Sequence, residues 1–505
     1  SGHRGTSVDG TFTDLHVAAI TQAICDGRKK FGAMGPVFVG QDTHALSQPA
    51  LVTVLEVLAG NGVTAMVDCD MDFVPTPSVS RAIIRYNIQH DDKADGIIIT
   101  PSHNPPDNGG IKYNTIIGGP ADTVVTKWIE MRANEYLTAY CESENFKRIS
   151  VDNIEPTAQV PYDYKGLYVE ELSEVINMEA IKAAGPKTLV DTLGGSGASY
   201  WKAIKERYGL DLTIIHDEYD PTFSFMTYDH DGKVRMDCSS PYVMESVINR
   251  IGDFDLAVGN DPDYDRYGIV ISSGLVSANS FLTMAARYLF TTRGWKNKGI
   301  GKTVVCTTMI DKWAAGVEIP VFEVPVGFKY FSQLLFDGVI GIGGEESAGA
   351  SFLKKDGTVW TTDKDGIIMA LLGMEIMAVM GKSALKMADD FAENYGEPRF
   401  GRIDAPCKKE QKQILKQLCA ELITATSVDG DPITGIRTTS MYNNMPIDGV
   451  RVETDKGWFV ARPSGTEDLY KIYGESYKGD LGLVALLTAG EEIVNAALNG
   501  KIDAE

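Results

Sequence analysis

The sequence predicts an α/β protein built from three similar α/β sandwich domains and a smaller C-terminal α+β domain. Three observations carry this. Short apolar, β-branched runs alternate with longer helical patterns between residues 36 and 342, and the alternation occurs three times. Each repeat ends its last strand in a polar, chemically capable loop, which is where open α/β sheets build their sites. Beyond residue 402 the pattern changes to paired strands joined by tight turns.

In the first repeat, Pro36–Gly40 reads as a strand, Gln48–Leu58 as a helix, Val63–Val67 as a strand and Pro77–Asn87 as a helix. The strand Gly96–Thr100 then ends at Ser102. In the second, Thr188–Asp191 leads to a helix near Tyr200. Strand Leu212–Ile215, helix Pro241–Arg250 and strand Asp255–Gly259 follow, ending at Asp261. In the third, strand Thr303–Thr307 precedes a helix near Trp313. Strand Val321–Val324, a helix around Phe331 and strand Val339–Ile342 follow, ending in Gly343-Gly344-Glu345. The apolar stretch Ile367–Met380 reads as a buried helix, too short to span a bilayer. In the last part a charged helix (Lys408–Ala425) precedes a hairpin of Val450–Thr454 and Trp458–Ala461. A strand (Leu469–Tyr473) and a closing helix from Leu481 complete it. The expected domains are 1–184, 185–299, 300–402 and 403–505, with a hinge at Phe400-Gly401-Arg402.

The chain has 505 residues, of which 44% are hydrophobic, so it can bury several cores. A formal charge of -22 argues against nucleic acid and anionic membrane surfaces as partners. An anionic substrate would need local cations to offset that field. The cysteines (Cys25, Cys69, Cys141, Cys238, Cys306, Cys407 and Cys419) are scattered, and no C-x-x-C pair occurs. That usage, with no signal-peptide pattern at the start, leads us to expect a reduced, cytoplasmic setting.

The loops carry the chemistry. In Thr100-Pro101-Ser102-His103-Asn104-Pro105-Pro106, the prolines stop the strand and stiffen the turn. A hydroxyl is held there beside an imidazole, which suits a nucleophile; an ordinary strand-ending turn would use the same residues. Asp261, Asp263 and Asp265 alternate along an extended segment and point to one side. Such a set is a hard-oxygen site for Mg²⁺ or Ca²⁺, with a solvated acidic turn as the competing reading. It is no EF-hand, because Arg266 and Ser272 stand where that loop needs Gly and Glu. Glu345 and Ser347, in Gly343-Gly344-Glu345-Glu346-Ser347-Ala348-Gly349, suit bonding to sugar hydroxyls, or a tight exposed turn. Arg462-Pro463-Ser464-Gly465-Thr466 suits phosphate, or a β-turn with a surface arginine. Lys112 could polarise a phosphate or shuttle a proton if neighbouring cations lowered its pKa. Lys329 and Lys364 lie near the third loop. Asp191–Gly197 reads as a plain strand-to-helix turn rather than an anion cradle.

Taken together, Ser1-Gly-His-Arg4, the Ser102 loop, Asp261–Arg266, Gly344–Ser347 and Arg462–Thr466 resemble the α-D-phosphohexomutase superfamily, in that family's order and over essentially the whole chain. The long forms of the serine and sugar loops resemble bacterial-type phosphoglucomutases specific for α-D-glucose phosphates. The resemblance implies four domains around a central cleft, and an isomerase of carbohydrate metabolism that shuttles phosphate through Ser102. It implies Mg²⁺ on Asp261, Asp263, Asp265 and a phosphoserine oxygen, with glucose 1,6-bisphosphate as activator and intermediate. Arg4 and Lys112 would flank the transferring phosphate, Lys364 would be a second proton-transfer candidate, and His103 would be a further catalytic residue. Glu345 and Ser347 would bind sugar hydroxyls, and Arg266 and the Gly327-Phe328-Lys329 loop would contact the substrate. Arg462, Ser464, Gly465 and Thr466 would hold the other phosphate. The expected partner is a hexose phosphate, with the protein a monomer or homodimer.

Two departures stand out. The family's first motif starts upstream of Ser1, so its opening strand is expected to be incomplete. Some relatives place a histidine where this chain has Ala350, which leaves the second acid/base open. Competing expectations are a phosphomannomutase, a phosphoglucosamine mutase, a phosphatase, or a non-catalytic binding paralogue.

Overall fold

The computed structural model describes residues 2–140, 146–381, 394–465 and 468–500. They form two compact units, one from Ser1–Lys296 with Phe328–Leu385 and the other from Asn297–Gly327 with Lys386–Glu505.

In the first unit, one sheet uses β1 (His3–Thr6), β2 (Val37–Gln41), β3 (Ala65–Asp68), β4 (Asp95–Ile99), β5 (Asn108–Asn114) and β6 (Gln159–Tyr162), in the order β1-β5-β4-β2-β3-β6. The opening residues thus do form a strand, antiparallel to β5 with Arg4 opposite Gly110. β2, β3 and β4 are parallel. The fully buried runs of β2 and β4 reflect cover on both faces by helices that include Ser47–Gly60 and Thr76–Gln89. A second sheet runs β11-β10-β9-β7-β8, from β7 (Thr188–Asp191), β8 (Leu212–Ile215), β9 (Leu256–Gly259), β10 (Gly268–Ile271) and β11 (Gly274–Leu275). The helix expected over 241–250 shrinks to Glu245–Ile248 followed by a 3₁₀ turn, Ile251–Asp253.

The third repeat keeps its element order. β12 (Gly299–Thr303) and β13 (Val321–Val324) are a parallel pair, and β14 (Ile340–Gly344) and β15 (Ala350–Phe352) an antiparallel one. β12 lies earlier than the expected Thr303–Thr307. Its glycines hide the strand pattern, yet Gly299 is needed there, because a Cβ would sit 2.2 Å from the Phe322 ring. The apolar Val304 and Val305 are buried in a cluster with Ile447, Trp458 and Val460.

The buried helix Gly366–Met380 matches expectation, and its one charge is accommodated. Glu375 accepts hydrogen bonds from Arg293 Nη2 (2.6 and 2.9 Å), Tyr288 Oη (2.8 Å) and Asn177 N (2.8 Å).

The second unit contains a sheet of order β16-β21-β20-β19-β18-β17: β16 (Arg399–Pro406), β17 (Ser427–Val428), β18 (Asp431–Thr439), β19 (Pro446–Thr454), β20 (Gly457–Pro463) and β21 (Leu469–Ser476). Phe400, Gly401 and Arg402 are not a hinge linker: they pair with Glu475, Gly474 and Tyr473 inside the sheet. The expected helix Lys408–Ala425 shortens to Lys409–Lys416 with a 3₁₀ turn at Ala420–Leu422. Helix Gly479–Leu498 is long and apolar enough to cross a membrane by length and composition, unlike the shorter stretch read from sequence. It packs on β16, β20 and β21, where Gly490 lets it approach: a Cβ there would meet Ile472 at 2.7 Å.

One buried ion pair anchors the start of β4. Arg28 Nε and Nη2 reach both oxygens of Asp95 (2.8–3.0 Å), and Tyr113 Oη donates to Oδ2 (2.7 Å). Truncating one partner leaves the other charge buried and unpaired. Arg28→Ala is therefore expected to destabilise the fold by roughly 3–5 kcal/mol, read as a lowered urea midpoint.

Candidate active site

β4 is an apolar run that stops at Pro101, and the next residues carry the serine. Thr100 N donates to Gly110 O (2.9 Å), and a Cβ on Gly110 would lie 2.2 Å from Thr100 O, so β5 can approach only as glycine. Ser102 is buried with φ +60°, a left-handed conformation unusual for serine. Its N–H donates to Thr100 Oγ1 (2.7 Å) and its Oγ to Asp261 Oδ2 (2.9 Å). His103 Nδ1 is 3.5 Å from the same Oγ. Burial, with help from Arg266 and Arg4, holds the His103 pKa well below its ordinary value, so the ring is neutral at pH 7.

The carboxylates arrive at the end of β9. Asp261, Asp263 and Asp265 are all buried, and one oxygen from each lies within 4.8 Å of the others. Tyr264 sits between them at φ +62° with its side chain buried. A Cβ on Gly197 would be 2.3 Å from that ring. The Asp191–Gly197 turn is thus glycine-rich to seat Tyr264. Asp263 Oδ2 accepts from Thr76 Oγ1 (2.7 Å) and Lys112 Nζ (2.7 Å). Asp265 Oδ2 accepts from Lys112 (3.2 Å) and pairs with Lys364 (2.8 Å). Asp263 Oδ1 and Asp265 Oδ1 are buried with no hydrogen-bond partner. Two orphaned carboxylate oxygens beside a third carboxylate are the donor set a hard divalent cation satisfies.

Charge is finely set around this cluster. Burial, then repulsion from Asp263 and Asp265, raises Asp261 well above the usual carboxylate range. Burial would also raise Asp265, but Lys112, Lys364 and Arg266 outweigh it and hold its pKa well below that range. Burial works against the Lys112 ammonium, yet Asp263 and Asp265 raise its pKa. The condition for Lys112 as a proton shuttle, neighbouring cations that lower its pKa, is therefore not met; it stands as a fixed positive charge. Arg4 lies opposite Gly110 on β1, and its charge is felt by both His103 and Lys112. Arg266 donates to Asp237 Oδ2 (3.2 Å). Arg4, Lys112, Arg266 and Lys364 thus form a local cationic wall in a strongly acidic chain.

The third loop follows β14. Glu345 N donates to Gly349 O (2.8 Å), and Ser347 is half-buried in the same turn. A Cβ on Gly349 would come 2.3 Å from Lys364 Cδ, so this glycine leaves room for the lysine stem. Behind it, Asp365 caps helix Gly366–Met380 and accepts from Tyr168 Oη and Trp360 Nε1 (both 2.8 Å), fixing where Lys364 starts. Lys329 Nζ donates to Thr123 Oγ1 (2.7 Å).

Burial pushes the Glu345 carboxyl up to about 7, against the pull of Lys364 and Arg266. The folded protein then keeps a proton that the unfolded chain releases above its ordinary pKa of 4.5. Stability is lost as pH rises from that value toward 7, and the full cost is present above 7. Glu345→Gln is expected to be more stable than the parent by roughly 3 kcal/mol at pH 8 and equal to it near pH 4.5, measured as unfolding midpoints across pH.

In the second unit, Arg462 Nε donates to Ile447 O (3.3 Å), Ser464 N donates to Leu469 O (2.8 Å), and among the described residues nothing lies within 4 Å of where a Cβ on Gly465 would sit. Lys471, absent from the sequence reading, stands opposite Arg462 in the β20–β21 register, so two cations share one face. Gly327 has φ +132°, which suits glycine alone. Thr466 lies outside the described residues. Sequence reasoning also missed Thr76, Asp237, Asp42 and His44. They support the motifs from other strands and helices and carry no local signature.

Comparison with known proteins agrees with this geometry. Models of Phosphoglucomutase/phosphomannomutase match in chain order: alpha/beta/alpha domain I at residues 1–139, domain II at 167–274, domain III at 277–395 and the C-terminal domain at 407–481. A phosphoglucomutase of Komagataeibacter xylinus is 47% identical over 501 residues, covering 98% of this chain and 90% of the relative. Phosphoglucomutase 1 of Saccharomyces cerevisiae is 26% identical over 509 residues, covering 93% and 85%. The crystal structure of the exocytosis-sensitive phosphoprotein pp63/parafusin from Paramecium, in its open form, aligns with a TM-score of 0.74 at 20% identity, covering 99% and 94%, a likeness of fold. With all four domain models matched in order, and nearly half the residues shared with a bacterial phosphoglucomutase along almost the whole chain, this chain belongs to the phosphoglucomutase/phosphomannomutase family and is an isomerase of the phosphotransferase type.

Proposed function

We propose that the chain interconverts α-D-glucose 1-phosphate and glucose 6-phosphate through a phosphoserine at Ser102, with glucose 1,6-bisphosphate as the intermediate. The observation that carries this is the Ser102 Oγ itself. It is buried, held 2.9 Å from Asp261 Oδ2, and faces a carboxylate cluster with orphaned oxygens. The 47% identity to the K. xylinus phosphoglucomutase supports the glucose assignment. Asp261, Asp263, Asp265 and an oxygen on Ser102 would hold Mg²⁺, which supplies charge stabilisation for the transferring group.

The protein's own residues do the rest. Lys112, Arg4 and Lys364 place fixed positive charge beside the phosphoryl group. A neutral His103, next to Oγ, can hold the hydroxyl proton. Ser102 gives its phosphoryl group to the free hydroxyl of the sugar monophosphate, and the serine oxygen leaves as the acceptor's proton is taken up. The bisphosphate turns end for end, and its other phosphate returns to Ser102. Glu345, Ser347, Arg266, Gly327 and Lys329 are assigned the sugar. A carboxylate has two oxygens, so Glu345 can accept hydroxyl donors in both orientations. Arg462, Ser464, Gly465 and Thr466 are assigned the phosphate that does not react.

The test is intact-mass measurement before and after glucose 1,6-bisphosphate, with peptide mapping. One added phosphoryl group at Ser102 is expected, and glucose 1-phosphate should exchange it for the sugar's own phosphate during turnover. Label elsewhere, or none, defeats the reading. Turnover of mannose 1-phosphate or glucosamine 1-phosphate above that of glucose 1-phosphate would move the substrate assignment.

A further inference from the structure

We propose that Asp42 and His44 are positioning residues for phosphoryl transfer: a buried dyad that clamps the serine loop on both sides of Ser102 and so aims its Oγ at the carboxylate cluster. The inference rests on Ser102 being the phosphoryl carrier.

The sheet brings the dyad there. β2 runs parallel to β4 with Gln41 opposite Ile99, so the residues after each strand emerge side by side. Asp42 N donates to Ile99 O (3.0 Å), tying the two ends together. Asp42 Oδ2 then accepts from Thr100 Oγ1 (2.6 Å) and faces His44 Nδ1 (2.9 Å). Its Oδ1 accepts from His44 N (3.0 Å) and Ser47 Oγ (2.6 Å). Thr100 Oγ1 is spent in both senses, because it also accepts from Ser102 N (2.7 Å). The bonds therefore run one way, from the serine amide through the threonine hydroxyl to the carboxylate.

On the far side of the serine, His44 Nε2 lies 3.0 Å from Asn104 O. A carboxylate and a carbonyl can only accept, so both ring nitrogens must carry hydrogen. His44 thereby bridges the fixed carboxylate to the residue two beyond Ser102. The dyad and Thr100 are all buried, and the His44 ring packs against Phe223 at 5.0 Å between centroids.

The clamp has a specific task. Ser102 is held at φ +60°, and a non-glycine residue keeps that conformation only where its surroundings impose it. Thr100 fixes the chain before the serine and Asn104 fixes it after. Without one anchor the loop can relax, and Oγ shifts relative to Asp261. Neither Asp42 nor His44 bonds Oγ, so they act through the loop and not on the reacting atoms.

The test compares His44→Asn and His44→Gln in the full chain. The Asn amide can occupy the Nδ1 position and keep the bond to Asp42, but it falls short of Asn104 O. The Gln amide can reach Asn104 O. His44→Asn is expected to lower kcat and the rate of Ser102 phosphorylation by about 100-fold, with KM for glucose 1-phosphate within about twofold of the parent. His44→Gln is expected to recover at least about tenfold of that loss at a matching melting temperature. A structural role alone would order the two variants by melting temperature and not by reach to Asn104. Thr100→Val breaks the clamp at its other end without touching His44, and the same split, kcat lowered and KM kept, is expected. Parental kcat in both His44→Asn and Thr100→Val overturns the inference, as does equal loss in His44→Asn and His44→Gln. If the parent itself takes no phosphoryl group on Ser102, the phosphoserine reading fails first. If the parent does and His44→Asn does so at the same rate, only the clamp fails.

Discussion

Ser102→Ala is expected to lower turnover by about 10⁴-fold or more while leaving the melting temperature almost unchanged. The two halves of this expectation have separate physical origins. The loop's conformation is set by bonds that alanine keeps: the amide of residue 102 still donates to Thr100 Oγ1, and Gly110 still admits Thr100 O. Alanine carries the same Cβ as serine, so the positive φ costs it no more. What is lost is one oxygen, the one that points at Asp261 and lies beside His103. If that atom carries the phosphoryl group, no other route through the protein replaces it, and residual activity reflects binding alone. The measurement is a coupled assay for glucose 6-phosphate alongside a thermal melt. Full turnover in the variant would remove Ser102 from the chemistry, whereas a collapse of both readings would mark it as structural.

The motifs were legible because each is a compact run at the end of a strand, where a few consecutive residues supply the chemistry. The structure gathers Ser102, His103, Lys112, Asp261, Asp263, Asp265, Arg266 and Lys364 within one unit, through hydrogen bonds and ion pairs that link them in a chain. The supporting residues were not legible. Thr76 looks like any helix-opening threonine, and only the fold puts its hydroxyl 2.7 Å from Asp263. Asp42 and His44 belong to a strand end that carries no motif. Lys471 needed the strand register to be seen opposite Arg462. Elements failed where local pattern and tertiary context disagree. β12 is glycine-rich and reads weakly, while the apolar Val304 and Val305 beyond it suggest a strand yet fill a hydrophobic cluster. β18 holds Pro432 and Gly435 and is only half-buried, so its alternation is faint. The surroundings of Lys112, on which its role as a proton shuttle depends, were not legible either, because the carboxylates of Asp263 and Asp265 reach it only across the fold.

Asp263→Asn is expected to cut activity by about 10²–10³-fold and to abolish the rise in melting temperature that Mg²⁺ gives the parent. Asp263 has divided duties. Oδ2 accepts from Thr76 and Lys112, while Oδ1 is buried without a partner and is free for a cation. Asparagine keeps one acceptor oxygen of the same shape but gives up the charge and one of the two donor atoms. Chelation of the parent should reproduce the loss, and added Mg²⁺ should restore the parent but not the variant. Asp265→Asn separates metal holding from charge balance. Asp265 pairs with both Lys112 and Lys364, and its depressed pKa shows how strongly they act on it. Neutralising it strands two ammonium groups beside each other, so a lower melting temperature than that of Asp263→Asn is expected even without any metal. Equal melting temperatures in the two variants would mean that Asp263, Asp261 or solvent neutralises the lysines. Unchanged Mg²⁺ stabilisation in both would mean that the cluster is not the cation site, and the orphaned oxygens would then need another partner.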